Sequence, residues 1–329
     1  MIDELQPAAW RQLAALRGRL PHALLIHGAQ GVGKLALAER FAQLLLCEVA
    51  GQGTEPCGTC PSCRWFLGAN HPDVRFIEPE AFGRYAAQAD EDEAVPAKAG
   101  KPSTEIKIEQ VRTLADFVNV GSHRGGRRVA VVHPAEDMNL SSANALLKSL
   151  EEPPAGAFFL LVSHRPARLL PTIRSRCVAV PVPPPEPGVA AAWLAAQGVK
   201  EPARWLAFAG GAPRRALEIA SGDKAEAIAT LLRAIEAGDL EAASAVPDRE
   251  MLELLAEVLQ KLSLDQAFGE LAGRSRFLPE IRPIGDAQTA RWLAFARAMG
   301  QNRLLARHPL NPRLFASEML SGIPGRQTK

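Results

Sequence analysis

The sequence predicts an α/β fold: a parallel sheet covered by helices in the first half, then an all-helical region. Three observations predict it. Short apolar runs alternate with helical patterns up to about residue 181. The alternation of strand and helix patterns is the signature of a parallel sheet with both faces covered. Beyond the proline-dense run VPVPPPEPG (180–188), which ends a strand and stiffens a joint, the periodic segments have helical spacing.

The elements follow in order. HALLIHG (22–28) is a buried strand running straight into a Gly-rich turn. KLALAERFAQLLLC (34–47) sets apolar residues at 35, 37, 41, 44 and 45, one buried face of a helix. VRFIEP (74–79), RRVAVVHPA (127–135) and AFFLLVSH (157–164) are further strands, with helical patterns at 108–120 and 139–151 between them. The polar stretch 80–105 has no period and reads as a long loop or hairpin. In the last third, Ile228, Leu231, Leu232 and Ile235 form one helical stripe. Met251, Leu254, Leu255, Val258, Leu259 and Leu262 form a second, and Trp292, Phe295 and Met299 a third. These stripes are core positions.

Composition removes several function classes. Among 329 residues, 38 basic and 36 acidic side chains leave a net charge of +2, no overall electrostatic case for nucleic-acid binding. Aromatics are 5% with a single tyrosine, too few for a base-stacking platform. No run of about 18 apolar residues is present to span a membrane. MIDELQPAAW lacks the layout of a signal peptide, which points to a cytoplasmic protein.

The turn after the first strand is GAQGVGKL (28–35), nearly the phosphate loop G-x-x-x-x-G-K-[ST]. Gly28, Gly31 and Gly33 let backbone N–H groups wrap an anion, and Lys34 would reach the outer phosphates. Leu35 stands where a hydroxyl should hold Mg²⁺. The metal-binding acid expected after the RRVAVV strand is also missing: His133 and Pro134 stand there, with Glu136 and Asp137 beyond the expected metal position. With both metal positions lost, no Mg²⁺ site is expected and hydrolysis by this chain is not. Lys34 and the glycines remain, so weak, metal-poor ATP binding stays open.

Cys47, Cys57, Cys60 and Cys63 form a C-x9-C-x2-C-x2-C cluster. In a cytoplasmic chain such a cluster reads as a metal site rather than as disulfides. Four sulfurs with no open position suit a structural zinc. An iron–sulfur cluster and unliganded thiols are the alternatives, and His71 is an alternative fourth ligand to Cys47. Cys177 stands apart, as a buried small residue.

The loop and the four cysteines are followed by NALLKSLEEPP (144–154), FFLLVSHRP (158–166), SRC (175–177) and GGAPRRAL (210–217). Together, from about His22 to Leu217, these resemble the clamp-loader branch of the AAA+ proteins. The resemblance implies an AAA+ domain with a zinc module at 1–181, a helical lid at 182–222 and a helical collar at 223–329 that joins subunits. It implies that Arg176 is an arginine finger acting in trans on a neighbour's ATP site, with Ser163 at a sensor-1 position and Arg214 at a sensor-2 position. The active gamma and tau subunits of that branch keep the Mg²⁺ hydroxyl and the acidic pair. Leu35, His133 and Pro134 depart from them, which favours a non-catalytic subunit. The alternative is a gamma- or tau-like ATPase motor with an unusual loop; a zinc-dependent nucleic-acid binder is the third reading.

The resemblance also implies partners: three gamma or tau chains and a delta chain in a ring of five. The ring would load the sliding clamp onto primed-template DNA within the DNA polymerase III holoenzyme, a DNA-directed DNA polymerase and nucleotidyltransferase at the replisome on the nucleoid. The densest basic group, Arg124, Arg127 and Arg128, reads as solvated surface arginines rather than as a DNA contact.

Overall fold

The computed structural model describes residues 5–49, 53–83, 102–120, 126–279, 284, 288–306, 308 and 310–325. The chain forms two compact units, residues 1–185 and 186–329.

In the first unit, α1 (Pro7–Leu16) precedes β1 (Ala23–His27) and α2 (Lys34–Leu46). The short helix α3 (Pro61–Leu67) leads to β2 (Val74–Ile77), α4 (Ile108–Asn119) and β3 (Arg128–Val132). Then come α5 (Leu140–Glu151), β4 (Ala157–Ser163), α6 (Pro171–Arg174) and β5 (Val178–Pro181). The strands make one parallel sheet in the order β2-β3-β4-β1-β5. Strand β1 lies inside the sheet, with His27 in register with Ser163 of β4 on one side and with Pro181 of β5 on the other.

The apolar runs form strands because both faces of the sheet are covered. Ala23, Leu25, Ala130, Val132, Phe159 and Leu161 pack with Val111, Leu114 and Val118 of α4 and with Leu146 and Leu150 of α5. The alternating residues Leu24, Ile26, Val129, Val131, Leu160 and Val162 are buried as well, and α2 contacts β1, β3 and β4. Such strands carry no polar alternation because no face meets water. The unpatterned stretch 80–105 falls mostly on residues 84–101, outside the described residues.

The second unit is helical: α7 (Pro187–Ala196), α8 (Pro202–Phe208), α9 (Pro213–Ala220), α10 (Lys224–Ala237), α11 (Leu240–Ser244), α12 (Arg249–Ala272), α13 (Thr289–Leu305) and α14 (Pro312–Ser321). Helices α7, α8 and α9 pack on one another, and α12 packs along α13 with α10 and α14 beside it. The predicted stripe on α12 is buried except at Met251, which is half-buried. Burial extends further round this helix, to Leu252, Ala256, Glu257, Ser263 and Asp265, because it has neighbours on several sides. Glu257 shows how charge is tolerated there. Its side chain is 7% exposed, and the carboxylate meets Arg215 from α9, Lys261 from its own helix and Arg303 from α13. Burial pushes its pKa up, but the three cations outweigh that and hold it below the usual carboxylate range. No helix among the described residues is long and apolar enough to cross a membrane.

Candidate functional site: a phosphate-type loop, a four-sulfur cluster and a half-buried arginine

The carboxyl end of β1 carries the Gly-rich loop, the position where open α/β sheets hold ligands. Gly28 N–H donates to the Ser163 carbonyl at 3.3 Å, tying the loop to β4. A Cβ on Gly28 would lie 2.1 Å from the carbonyl oxygen of Val182, so only glycine fits. Gly33 caps α2 with φ of 102°, a left-handed conformation that other residues resist. Gly31 also has positive φ.

Lys34 is the first residue of α2 and is 2% exposed. Its ammonium donates to the Ala29 carbonyl at 2.6 Å, within its own loop. Burial lowers its pKa to about 8, and Glu136 partly opposes that shift. Leu35 follows, half-buried and without an oxygen. His133 directly follows β3 and is 8% exposed, its ring 5.1 Å from His164 and 6.2 Å from Phe82. Neither position offers a carboxylate or hydroxyl. Pro134 starts the turn that follows. Ser163 is fully buried at the end of β4, and its hydroxyl accepts the Arg165 N–H at 3.2 Å.

Two residues that the sequence reading set aside or missed belong to this site. Glu136, read as lying beyond it, is close enough to Lys34 to influence its charge. Its Oε1 accepts the N–H groups of His164 and Arg165 at 2.9 and 3.0 Å, while Oε2 is buried and accepts no hydrogen bond. An acid three residues past His133 was the available signal. Gln6, 4% exposed, donates through Nε2 to the carbonyls of Val32 and Pro183, both at 2.9 Å. It pins the loop to the chain that follows β5. Nothing local in the sequence marks it.

The four cysteine sulfurs lie within 4.8 Å of one another. Cys47 and Cys60 sulfurs are 4.0 Å apart and those of Cys57 and Cys63 3.9 Å. Tetrahedral zinc with Zn–S bonds of about 2.3 Å sets its sulfurs about 3.8 Å apart, so the cluster fits the ion. The N–H groups of Cys57, Cys60 and Cys63 donate to the sulfurs of Cys47, Cys57 and Cys60 at 3.3 to 3.4 Å. N–H groups of Thr59 and Cys60 pull the Cys57 thiol down to about 6, and burial pushes Cys63 up to about 12. His71 is not a ligand. Its Nδ1 accepts the Asp73 N–H at 3.0 Å, which puts the ring proton on Nε2, 2.6 Å from the Ser62 hydroxyl. Ser62 in turn donates to the Leu46 carbonyl at 2.7 Å. This chain of bonds keys the cysteine module to α2 and β2. Cys177 is half-buried against the sheet core, its thiol raised to about 12 by burial.

Arg176 lies two residues past α6, its side chain 34% exposed. It pairs with Glu151 at 2.7 Å and donates to the Thr172 carbonyl at 2.9 Å. Arg214 is exposed on α9 of the second unit. The reading of the basic group as surface arginines needs correction at Arg128. That residue is 4% exposed, 3.7 Å from Asp73, stacked over Phe117 and bonded to the Phe117 carbonyl. Arg127 lies half-buried over Phe158, and Arg124 falls outside the described residues.

Comparison with known proteins bears on what this arrangement is. Residues 5–186 match the family model described as "DNA polymerase III, delta subunit". The DNA polymerase III subunit delta' of Yersinia pestis is 33% identical over 337 residues, 95% of this chain and 92% of that protein. The chain belongs to the DNA polymerase III delta-prime family. The delta-prime subunit of Pseudomonas aeruginosa is 43% identical over 213 residues, 63% of this chain; the match spans 58% of that relative's length. DNA polymerase III subunit tau of Escherichia coli is also similar, 36% identical over 161 residues, 49% of this chain and 21% of tau.

Proposed function

We propose that this delta-prime chain is a non-hydrolysing subunit of the replicative clamp loader. Its Arg176 reaches a neighbouring gamma or tau subunit and helps that subunit hydrolyse ATP, so that the sliding clamp is loaded onto primed DNA. The observation that carries the reading is the loss of both oxygen ligands beside the loop. Leu35 and His133 stand where a hydroxyl and an acid would hold Mg²⁺, and without the ion the charge on a transferring phosphoryl group has no offset. The ammonium of Lys34, bonded to Ala29, agrees with a loop that serves structure. In this reading Ser163 and Arg214 occupy sensor positions without a nucleotide to sense.

The four cysteines hold a structural zinc, which gives a module with little core of its own a rigid centre. Residues 182–222 form the lid and 223–329 the collar that joins gamma or tau, delta and this chain into a ring of five in the cytoplasm. The polymerase chemistry of the holoenzyme belongs to other chains. The test is nucleotide binding and hydrolysis by the purified chain with and without Mg²⁺. No turnover is expected; turnover at motor rates overturns the reading.

One observation favours the motor reading instead. Glu136, with a buried oxygen that accepts no hydrogen bond and with Lys34 in electrostatic reach, is the acid that a metal-dependent site would recruit. Mg²⁺-dependent turnover abolished by Glu136→Gln would establish that reading.

A further inference from the structure

We infer that Glu151 is a positioning residue that parks Arg176 against its own chain until a neighbour's phosphate takes the guanidinium away. The inference rests on the reading of Arg176 as a trans-acting group, and it adds the residue that governs when that group is available.

Glu151 closes α5, and Arg176 follows α6, so the contact joins segments 25 residues apart. Nη2 of Arg176 lies 2.7 Å from Oε1 of Glu151. Nη1 donates to the Thr172 carbonyl at 2.9 Å and approaches the Ser175 hydroxyl at 3.4 Å. Acceptors of its own chain therefore occupy both terminal nitrogens. Arginine grips a phosphate best through two parallel N–H bonds. A phosphate that approaches the terminal edge competes with Glu151 for Nη2.

The strength of the contact suits a device that lets go. The two side chains are 34% and 48% exposed. An exposed pair of this kind favours its closed form by only about 1.5- to 5-fold. That is enough to keep a flexible side chain in one place when no phosphate is near. It is weak beside the two charge-assisted bonds that a phosphate would offer. The Thr172 bond lies on the other nitrogen and can anchor the guanidinium while the Glu151 contact opens.

The experiment is single-turnover ATP hydrolysis by a clamp loader reconstituted with the full chain, at saturating ATP. Glu151→Gln keeps the side-chain shape and removes the charge. It should speed the hydrolysis that depends on this chain by about two- to fivefold. The gain should shrink as salt is raised, because an exposed pair is screened. A purely structural role would not move that salt dependence, and the melting temperature should stay the same. In an Arg176→Ala background Glu151→Gln should change nothing.

The outcomes separate the two ideas. If Arg176→Ala slows hydrolysis and Glu151→Gln changes nothing, parking is overturned and the trans role stands. If Glu151→Gln slows hydrolysis, Glu151 orients the arginine for its work and parking is wrong. A gain that survives Arg176→Ala acts through another group and also overturns it. If Arg176→Ala has no effect, the trans role fails and the parking role falls with it.

Discussion

The ammonium of Lys34 lies 2.6 Å from the carbonyl oxygen of Ala29, five residues earlier in the same loop. A positive charge that could meet a phosphate is turned onto the backbone that would surround it. The side chain is 2% exposed, and burial lowers its pKa to about 8.

This makes Lys34 a measurable liability. Its folded pKa is below the unfolded value of 10.5, so the unfolded chain binds more protons between about 8 and 10.5. The cost is complete below pH 8 and is relieved as pH rises through that window. Its upper bound is about 3 kcal/mol. Lys34→Met should raise the melting temperature at pH 7 and lose the alkaline gain relative to wild type. A lower melting temperature at pH 7 would show that the Ala29 bond outweighs the burial cost.

Zinc removal should act locally. Elemental analysis should find one zinc per chain, and chelation or Cys60→Ser should lower the melting temperature by roughly 5–10 °C, a few kcal/mol in a chain of this size. The circular dichroism of the sheet and helices should persist, because the sheet core lies apart from the sulfur cluster. No zinc and no thermal effect would remove the metal from the account.

Arg176→Ala should leave the chain folded, since the side chain is a third exposed and its ion pair is a surface one. The proposed trans role predicts that, in a reconstituted clamp loader, a neighbour's ATP hydrolysis slows by about 10³-fold, the lower range for such arginines. Unchanged DNA-stimulated hydrolysis and clamp loading would exclude a trans role.

Glu257→Gln should destabilise the second unit. It leaves Arg215, Lys261 and Arg303 facing one another without their shared anion, at a cost of about 3–5 kcal/mol. The folded pKa of Glu257 is depressed, so its contribution is present above its unfolded pKa of 4.5 and is lost as pH falls through the folded value. The gap between wild type and variant should therefore be full at pH 7 and close in acid. Equal melting temperatures at pH 7 would mean the three cations are compensated elsewhere.

The strands and most helices were legible because their signals are local. A short, valine-rich run such as RVAVV reads as an interior strand and is buried at every residue, and Leu146 with Leu150 mark the inner face of α5. The four cysteines were legible because short spacings confine their sulfurs. Arg128 was misread because it follows Arg127 at the start of β3, where a basic pair resembles a surface group, while its partners Asp73 and Phe117 lie on other segments. Glu136 was placed outside the site because its distance from Lys34 depends on where β3 stands relative to β1, which no local pattern states.

Sequence alone therefore sufficed for the α/β architecture, for the four-cysteine cluster that could hold a metal, and for placing Leu35 and His133 where the phosphate-loop pattern expects oxygen ligands. Each of these depends on residues near one another along the chain, where periodicity and spacing act directly. The tertiary structure alone decided that Lys34 has Glu136 in electrostatic reach, that Gln6 bonds Val32 and Pro183, that Glu151 holds Arg176, and that Glu257 gathers three cations. Most of these contacts join distant segments, and they exist only once the order β2-β3-β4-β1-β5 and the packing of α9, α12 and α13 have brought those segments together.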